Sequence, residues 1–182
     1  MGGDAASIVV RAAAADDLPA IAAIYAQHVA LGTASFELEP PGVEEMQRRH
    51  AAAQEGGYPY FVAADVAGRV IGYAYAGPYR SRPAYRHTVE DSVYVEPGGA
   101  GHGVGSALLA VLVAACADRG FRQMIAIIGG ADNAASIGLH RSHGFVEAGR
   151  LGNVGRKHDR WLDTVLMQRA LGDGGESPPT RD

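Results

Sequence analysis

A single cysteine, Cys116, excludes an intramolecular disulfide and any cysteine-based metal cluster. It lies between Ala115 and Ala117 in an apolar stretch, the setting of a small core residue rather than a reactive thiol. Positive charge is scarce and scattered. Lys and Arg number 16 against 20 Asp and Glu, the formal net charge is -4, and the longest basic run is Arg48-Arg49-His50. Proteins that bind nucleic acid gather basic residues on one face, so no nucleic-acid partner is expected. Long apolar runs are missing too. The most apolar segment, Val104 to Ala117, is too short to span a bilayer. Arg11, Asp16 and Asp17 interrupt the region where a secretory signal needs an unbroken apolar stretch. The expectation is a cytoplasmic protein without a membrane partner. The histidines show no ligand spacing beyond His140 and His143, so no metal is expected.

What is present is material for one packed domain. The chain has 182 residues, of which 47% are hydrophobic and 20% charged, enough to bury a core. Residues 1–7 read as a loose lead-in, 8–171 as the domain, and 172–182, rich in Gly, Ser and Pro, as a disordered tail. Ile8 to Arg11 reads as a strand. A helix capped by Asp16 or Asp17 follows, with Leu18, Ile21, Ile24, Tyr25 and His28 on one face and Gly32-Thr33 at its end. Val43 to Gln54 reads as a second, more polar helix. Tyr60–Ala64 and Val70–Tyr75 form a hairpin around Asp65–Gly68, stopped by Gly77-Pro78. Thr88–Val95 is another strand, and a long apolar helix runs to Asp118. Met124–Ile128 reads as a central strand, Asn133–Ser142 as a short helix, and Phe145–Val154 and Trp161–Arg169 as two last strands.

Between the Thr88–Val95 strand and the long helix lies Pro97-Gly98-Gly99-Ala100-Gly101-His102-Gly103-Val104-Gly105. A helix start offers unpaired backbone N–H groups and partial positive charge, and glycines let a phosphate come close. Gly101, Gly103 and Gly105 alternate at that point, which suits a pyrophosphate. The Gly-Lys-Ser/Thr ending of a P-loop is absent, and neither spacing nor position fits the dinucleotide fingerprint. On its own the loop reads equally as an anion site or a flexible turn.

Tyr94-Val95 followed by Ala100-Gly101-His102-Gly103-Val104-Gly105-Ser106 resembles the coenzyme A motif of GNAT acetyltransferases. Asn133, Ser136, Leu139 and Gly144-Phe145 resemble the second signature of that family, an Asn-bearing helix ahead of a Gly-Phe strand. Several further stretches are similar to phosphinothricin acetyltransferases: Thr33 to Phe36, Tyr75 to Arg80, Ala84 to Val95, Leu139-His140 and Gly155 to His158. The resemblance spans Ile8 to Leu171. It implies an α/β (α+β) GNAT fold, a mixed, strongly twisted sheet flanked by helices. Acetyl-CoA would lie where two central strands splay apart, one ending near Val95 and the other being Met124 to Ile128. The coenzyme contacts implied are Ser92, Val93, Tyr94, Val95, the loop from Ala100 through Gly101, His102, Gly103, Val104 and Gly105 to Ser106, then Asn133 and Ser136. Ala100 stands where the family has Arg or Gln, so one phosphate donor is missing and weaker coenzyme binding is expected. Family analogy also implies a homodimer.

Amide formation needs a neutral amine, and a base supplies it. Glu90 lies mid-strand between Val89 and Val93 and reads either as that base or as an outward-facing glutamate. The resemblance favours the base. Asp91 faces the other way, because strand side chains alternate, and receives no role. The resemblance places an oxyanion donor at the Val93 N–H, and His140 where many GNAT enzymes carry the tyrosine that protonates the leaving thiolate. His140 is otherwise a helix-surface histidine. Asn133 would bond the pantetheine amide, cap the helix, or both. Arg80, Arg82 and Tyr85 precede Glu90 in a loop, and the arginines suit a carboxylate or phosphinate when they are not simply solvated. Phe36 resembles a substrate-pocket wall, or is core. The expected activity is N-acetylation of an amino-acid analogue such as phosphinothricin, methionine sulfoximine or methionine sulfone. Alternatives are a polyamine or peptide N-terminal acetyltransferase, or a coenzyme-binding regulatory domain without turnover.

Overall fold

The computed structural model describes residues 8–99 and 101–180. The elements run β1 (Val9–Ala12), α1 (Leu18–Leu31), α2 (Val43–Glu55), β2 (Tyr60–Ala64), β3 (Val70–Pro78) and β4 (Thr88–Val95). Then come α3 (Val104–Asp118), β5 (Gln123–Gly129), α4 (Ala134–Ser142), β6 (Val146–Lys157) and β7 (Arg160–Ala170). They build a 7-stranded sheet in the order β1-β2-β3-β4-β5-β7-β6. Every neighbouring pair is antiparallel except β4 and β5, which are parallel. A parallel pair needs a crossover, and α3 is that crossover.

The sheet separates two cores. On one face α1 and α2 cover Tyr60, Val62 and Tyr73, with Ile21 and Val29 fully buried. On the other, α3 presses Leu108, Leu109 and Leu112 against Val89, Met124 and Val165. Each of those leucines is completely buried, worth about 1.5–3 kcal/mol apiece relative to exposure. The apolar residues all round α3 follow from this double burial, since its outer side also meets the end of the sheet at Phe121 and Leu171.

Three sequence expectations change. β3 does not stop before Gly77-Pro78 but runs through them, opposite Glu90 and Val89. The Ala76 N–H reaches the Pro59 carbonyl at 3.0 Å, so two residues on the proline lacks its donor only on the side beyond the start of β2. Asp17 occupies the N-cap of α1, yet its carboxylate bonds Arg11 at 2.6 and 2.7 Å and the Ala14 N–H at 2.8 Å instead of the helix. Residues 172–180, read as disordered, hold no helix or strand but are bonded to the domain. Arg122 donates to the carbonyls of Ser177 and Pro178 at 2.8 and 3.0 Å. Among the described residues no helix is long and apolar enough to cross a membrane.

The feature that positions a site is where β4 and β5 part. They pair only from Thr88–Asp91 to Gln123–Ala126. Beyond that, β4 continues along β3 to Val95 and β5 continues along β7 to Gly129. Between Ser92–Val95 and Ile127–Gly129 the sheet opens.

Candidate active site

The opening exposes backbone. Glu96 donates its N–H to Ile71 at 2.9 Å, so even-numbered residues of β4 bond toward β3 and odd-numbered ones away from it. Val89 and Asp91 therefore meet β5, whereas Val93 and Val95 turn their peptide groups into the gap. His28 donates Nε2–H to the Val95 carbonyl at 2.8 Å. The N–H and C=O of Val93 lie beside a strand that has already diverged, a seat for an extended amide-bearing chain.

The gap leads into a cleft of ≈ 430 Å³ under the start of α3. Val93, Val95, Gly101, Gly103, Val104, Gly105 and Ser106 line it, with Asn133 and Ser136 from α4 on the far side. Gly101 and Gly103 take φ of +84° and +81°, which side chains resist, and Gly103 is the N-cap of α3. The sequence order glycine, helix is thus realised as a helix N-terminus aimed at the cleft. His102 is exposed and does not line it. Ala100 lies outside the described residues. Asn133 does cap α4, its Oδ1 accepting from the Ser136 N–H at 3.2 Å, while also bordering the cleft.

The even-numbered side chains of β4 face a second pocket, of ≈ 410 Å³. Glu90, Ser92 and Tyr94 form its floor, with Tyr25, Tyr75 and Thr164 around them. A narrow throat lined by Ser92, Val93, Tyr94, Ile127 and Gly129 joins it to the coenzyme-shaped cleft. Glu90 is half-buried. Burial, with the nearby charge of Asp91, pushes its carboxyl up to about 7 against the pull of Arg80. A carboxylate poised there can take a proton from an ammonium at neutral pH.

Phe36 is a wall of this pocket, as read. Its ring lies flat on glycines: a Cβ added at Gly155 would sit 2.3 Å from it, and one at Gly129 2.8 Å. The surrounding loop is tied down by residues that the sequence reading passed over. The Tyr25 hydroxyl lies 2.8 Å from Ser35 Oγ and donates to Glu37 at 3.0 Å. Arg49 donates to Glu37 at 2.7 Å, and buried Lys157 donates to the Ser35 carbonyl at 2.8 Å. Those partners lie on α1, α2 and β6, so no local pattern announces them.

Arg80, Arg82 and Tyr85 are exposed and none is among the residues lining the pocket. Arg80 rests over the Tyr79 ring at 5.1 Å, and Tyr85 meets that ring edge-on. Only the charge of Arg80 reaches Glu90.

His140 is not on the helix surface; it is 4% exposed. Its Nδ1 lies 2.8 Å from the Ser136 carbonyl and its Nε2 2.9 Å from Asp91 Oδ2. Asp91, which received no role, is thereby the residue that contacts it. Both border the inner throat. Among the described residues no group of three or more His, Cys, Asp or Glu is placed to hold a metal ion.

Comparison with known proteins now decides the family. The model for the acetyltransferase (GNAT) family matches residues 22–145. The chain belongs to the GNAT acetyltransferases. Within GNAT enzymes it is 54% identical over 170 residues to phosphinothricin N-acetyltransferase of Alcaligenes faecalis, covering 93% of this chain and 86% of that one. It is 41% identical over 172 residues to the L-methionine sulfoximine/L-methionine sulfone acetyltransferase of Pseudomonas aeruginosa PAO1, covering 94% and 99%. Among solved structures, the GNAT phosphinothricin acetyltransferase from Sinorhizobium meliloti in complex with acetyl-CoA superposes with a TM-score of 0.93 at 50% identity, over 95% of this chain and 93% of that one. The GNAT fold expected from the sequence, a mixed sheet splayed at its centre, is the fold observed.

Proposed function

We propose that this GNAT acetyltransferase moves the acetyl group of acetyl-CoA to the amino group of a small amino-acid-like substrate, of the phosphinothricin or methionine sulfoximine type. The names of its relatives support that substrate class. The observation that carries the chemistry is Glu90, held near neutral pKa on the pocket side of the one strand whose backbone opens into the coenzyme-shaped cleft.

The coenzyme supplies an activated acetyl group. Its extended arm fits the gap, with the Val93 N–H and C=O as partners and the α3 N-terminus for the pyrophosphate. Glu90, directly or through a water, takes a proton from the ammonium so that the amine can attack. The Val93 N–H receives the charge that develops on the acetyl oxygen. His140, beyond the throat, gives a proton to the departing sulfur. The relatives' kinship also supports a homodimer.

A second reading keeps one observation in its favour. The pocket wall carries Glu37 and Glu90 and, among the described residues, no lysine or arginine side chain. That suits a cationic amine such as a polyamine, although the Arg49 pairing neutralises Glu37. Thiol release from acetyl-CoA decides between them, measured with phosphinothricin, methionine sulfoximine, methionine sulfone, common amino acids, spermidine and a peptide N-terminus. Turnover on the amino-acid analogues that Glu90→Gln abolishes is the expected result. Turnover confined to spermidine or the peptide overturns the substrate class. Coenzyme binding without turnover of any amine overturns the enzyme reading.

A further inference from the structure

The odd-numbered side chains of β4 enter the core beneath α3, and Val89 and Val93 suit it. Asp91, between them and 5% exposed, does not. A buried carboxylate requires a partner, and His140 is that partner. The Ser136 carbonyl 2.8 Å from Nδ1 only accepts, so Nδ1 carries a proton. A neutral ring would then turn a bare Nε2 lone pair toward the carboxylate oxygen 2.9 Å away. The contact is attractive when Nε2 is protonated too. The second carboxylate oxygen, Oδ1, is buried without a protein partner, and both side chains border the throat that joins the coenzyme cleft to the amine pocket.

We propose that Asp91 is a positioning residue for acetyl transfer: it holds the His140 imidazole charged at the inner end of the coenzyme cleft, with the Nε2 proton ready for the departing sulfur. The proposal rests on the acetyltransferase reading above. When the carbon–sulfur bond breaks, its electron pair stays on sulfur. Sulfur takes the Nε2 proton, directly or through one water in the polar throat, and becomes the free thiol. His140 is left neutral, Nδ1 still donating to Ser136. The ammonium substrate loses two protons in becoming an amide. One restores Nε2 by way of Glu90 and solvent, and the other is released.

The surroundings favour the charged ring. Burial pulls the His140 pKa down, but the hydrogen bond and charge of Asp91, with the Ser136 carbonyl, raise it overall. His143, in the turn after α4, is pushed down by burial and by Arg169 of β7, so it stays neutral. The Phe145 ring meets His140 edge-on at 5.0 Å. Cys116 on α3 has its thiol pushed up to about 12 by burial and stays uncharged. Glu90 lies on the opposite face of β4.

The test combines Asp91→Asn, which keeps size and removes charge, with His140→Gln and with NMR titration of the His140 ring without substrates. In Asp91→Asn we expect kcat to fall about tenfold or more with both KM values within about twofold. The basic limb of the kcat profile and the ring titration should move together to lower pH, by about one unit or more. A merely structural aspartate would shift neither. An unshifted limb and ring in a folded Asp91→Asn protein overturns the proposal, and so does a neutral wild-type ring at pH 7, whether or not the variant folds. Full kcat in His140→Gln instead overturns the proton-donor reading on which it rests.

Discussion

The coenzyme cleft and the amine pocket meet at one throat but are built from different materials. The cleft is made of backbone: the Val93 peptide group, the glycines of positive φ and the first amides of α3. The pocket is made of side chains that arrive from α1, the loop after it, β3, β4, β5 and β7. Backbone recognition serves a cofactor that never changes. Side-chain recognition lets one fold present different amines with the same activated acetyl group. Substitutions that strike only one of the two regions test whether the division is real.

The largest separation comes from Glu90→Gln. Removal of a general base costs about 10²–10⁴-fold in rate, so kcat should fall by at least about two orders of magnitude while the coenzyme Kd stays within about twofold. Calorimetry with acetyl-CoA, beside the turnover assay, measures both. Equal losses in turnover and coenzyme affinity would mean that Glu90 holds the strand in place and is not the base.

Gly103→Ala strikes the other region. A side chain at φ +81° costs about 1–2 kcal/mol in this conformation. Relief of that strain would turn the α3 N-terminus away from the cleft. The coenzyme Kd should rise about tenfold with little change in the amine KM. A rise in the amine KM alone would show that the loop belongs to the pocket.

The same contrast explains what the sequence could show. Gly101, Gly103 and Gly105 ahead of an apolar run, and the strand bounds Thr88 and Val95, are local facts, and the structure keeps them. Glu90 was legible because a charge among valines stands out. Asp91 stands out as much, but its partner is on α4, 49 residues away, and neither residue's neighbours point to the other. Glu37 and Arg49 meet only because α2 folds back on α1. Arg80, Arg82 and Tyr85 precede Glu90 in sequence, yet β3 carries that loop to the outside, past the end of the pocket. Proximity along the chain misled where the strand end decided.

Glu37→Gln probes the pocket's far side. It weakens the Arg49 bond and the loop that carries Phe36. The amine KM should rise about three- to tenfold, as for one charge-assisted bond, with the coenzyme Kd untouched. A change in coenzyme affinity instead would join the two regions through Ala34, which borders both.

The smallest effect belongs to Arg80→Ala. The base must be deprotonated, and Glu90 sits at about 7. Rate should therefore rise with pH through a limb near neutrality and fall away below it. Arg80 lowers that value through its charge alone, so its removal raises it and moves the limb to higher pH. Arg80 is exposed, and solvent and salt screen such charges strongly. The shift should be a few tenths of a pH unit at low ionic strength and vanish near 1 M salt. The amine KM should stay within about twofold, because Arg80 is not part of the pocket wall. A large rise in the KM for phosphinothricin, insensitive to salt, would show instead that the Tyr79–His87 loop swings inward over bound substrate, and would return Arg80 to the carboxylate- or phosphinate-binding role that its sequence position suggests.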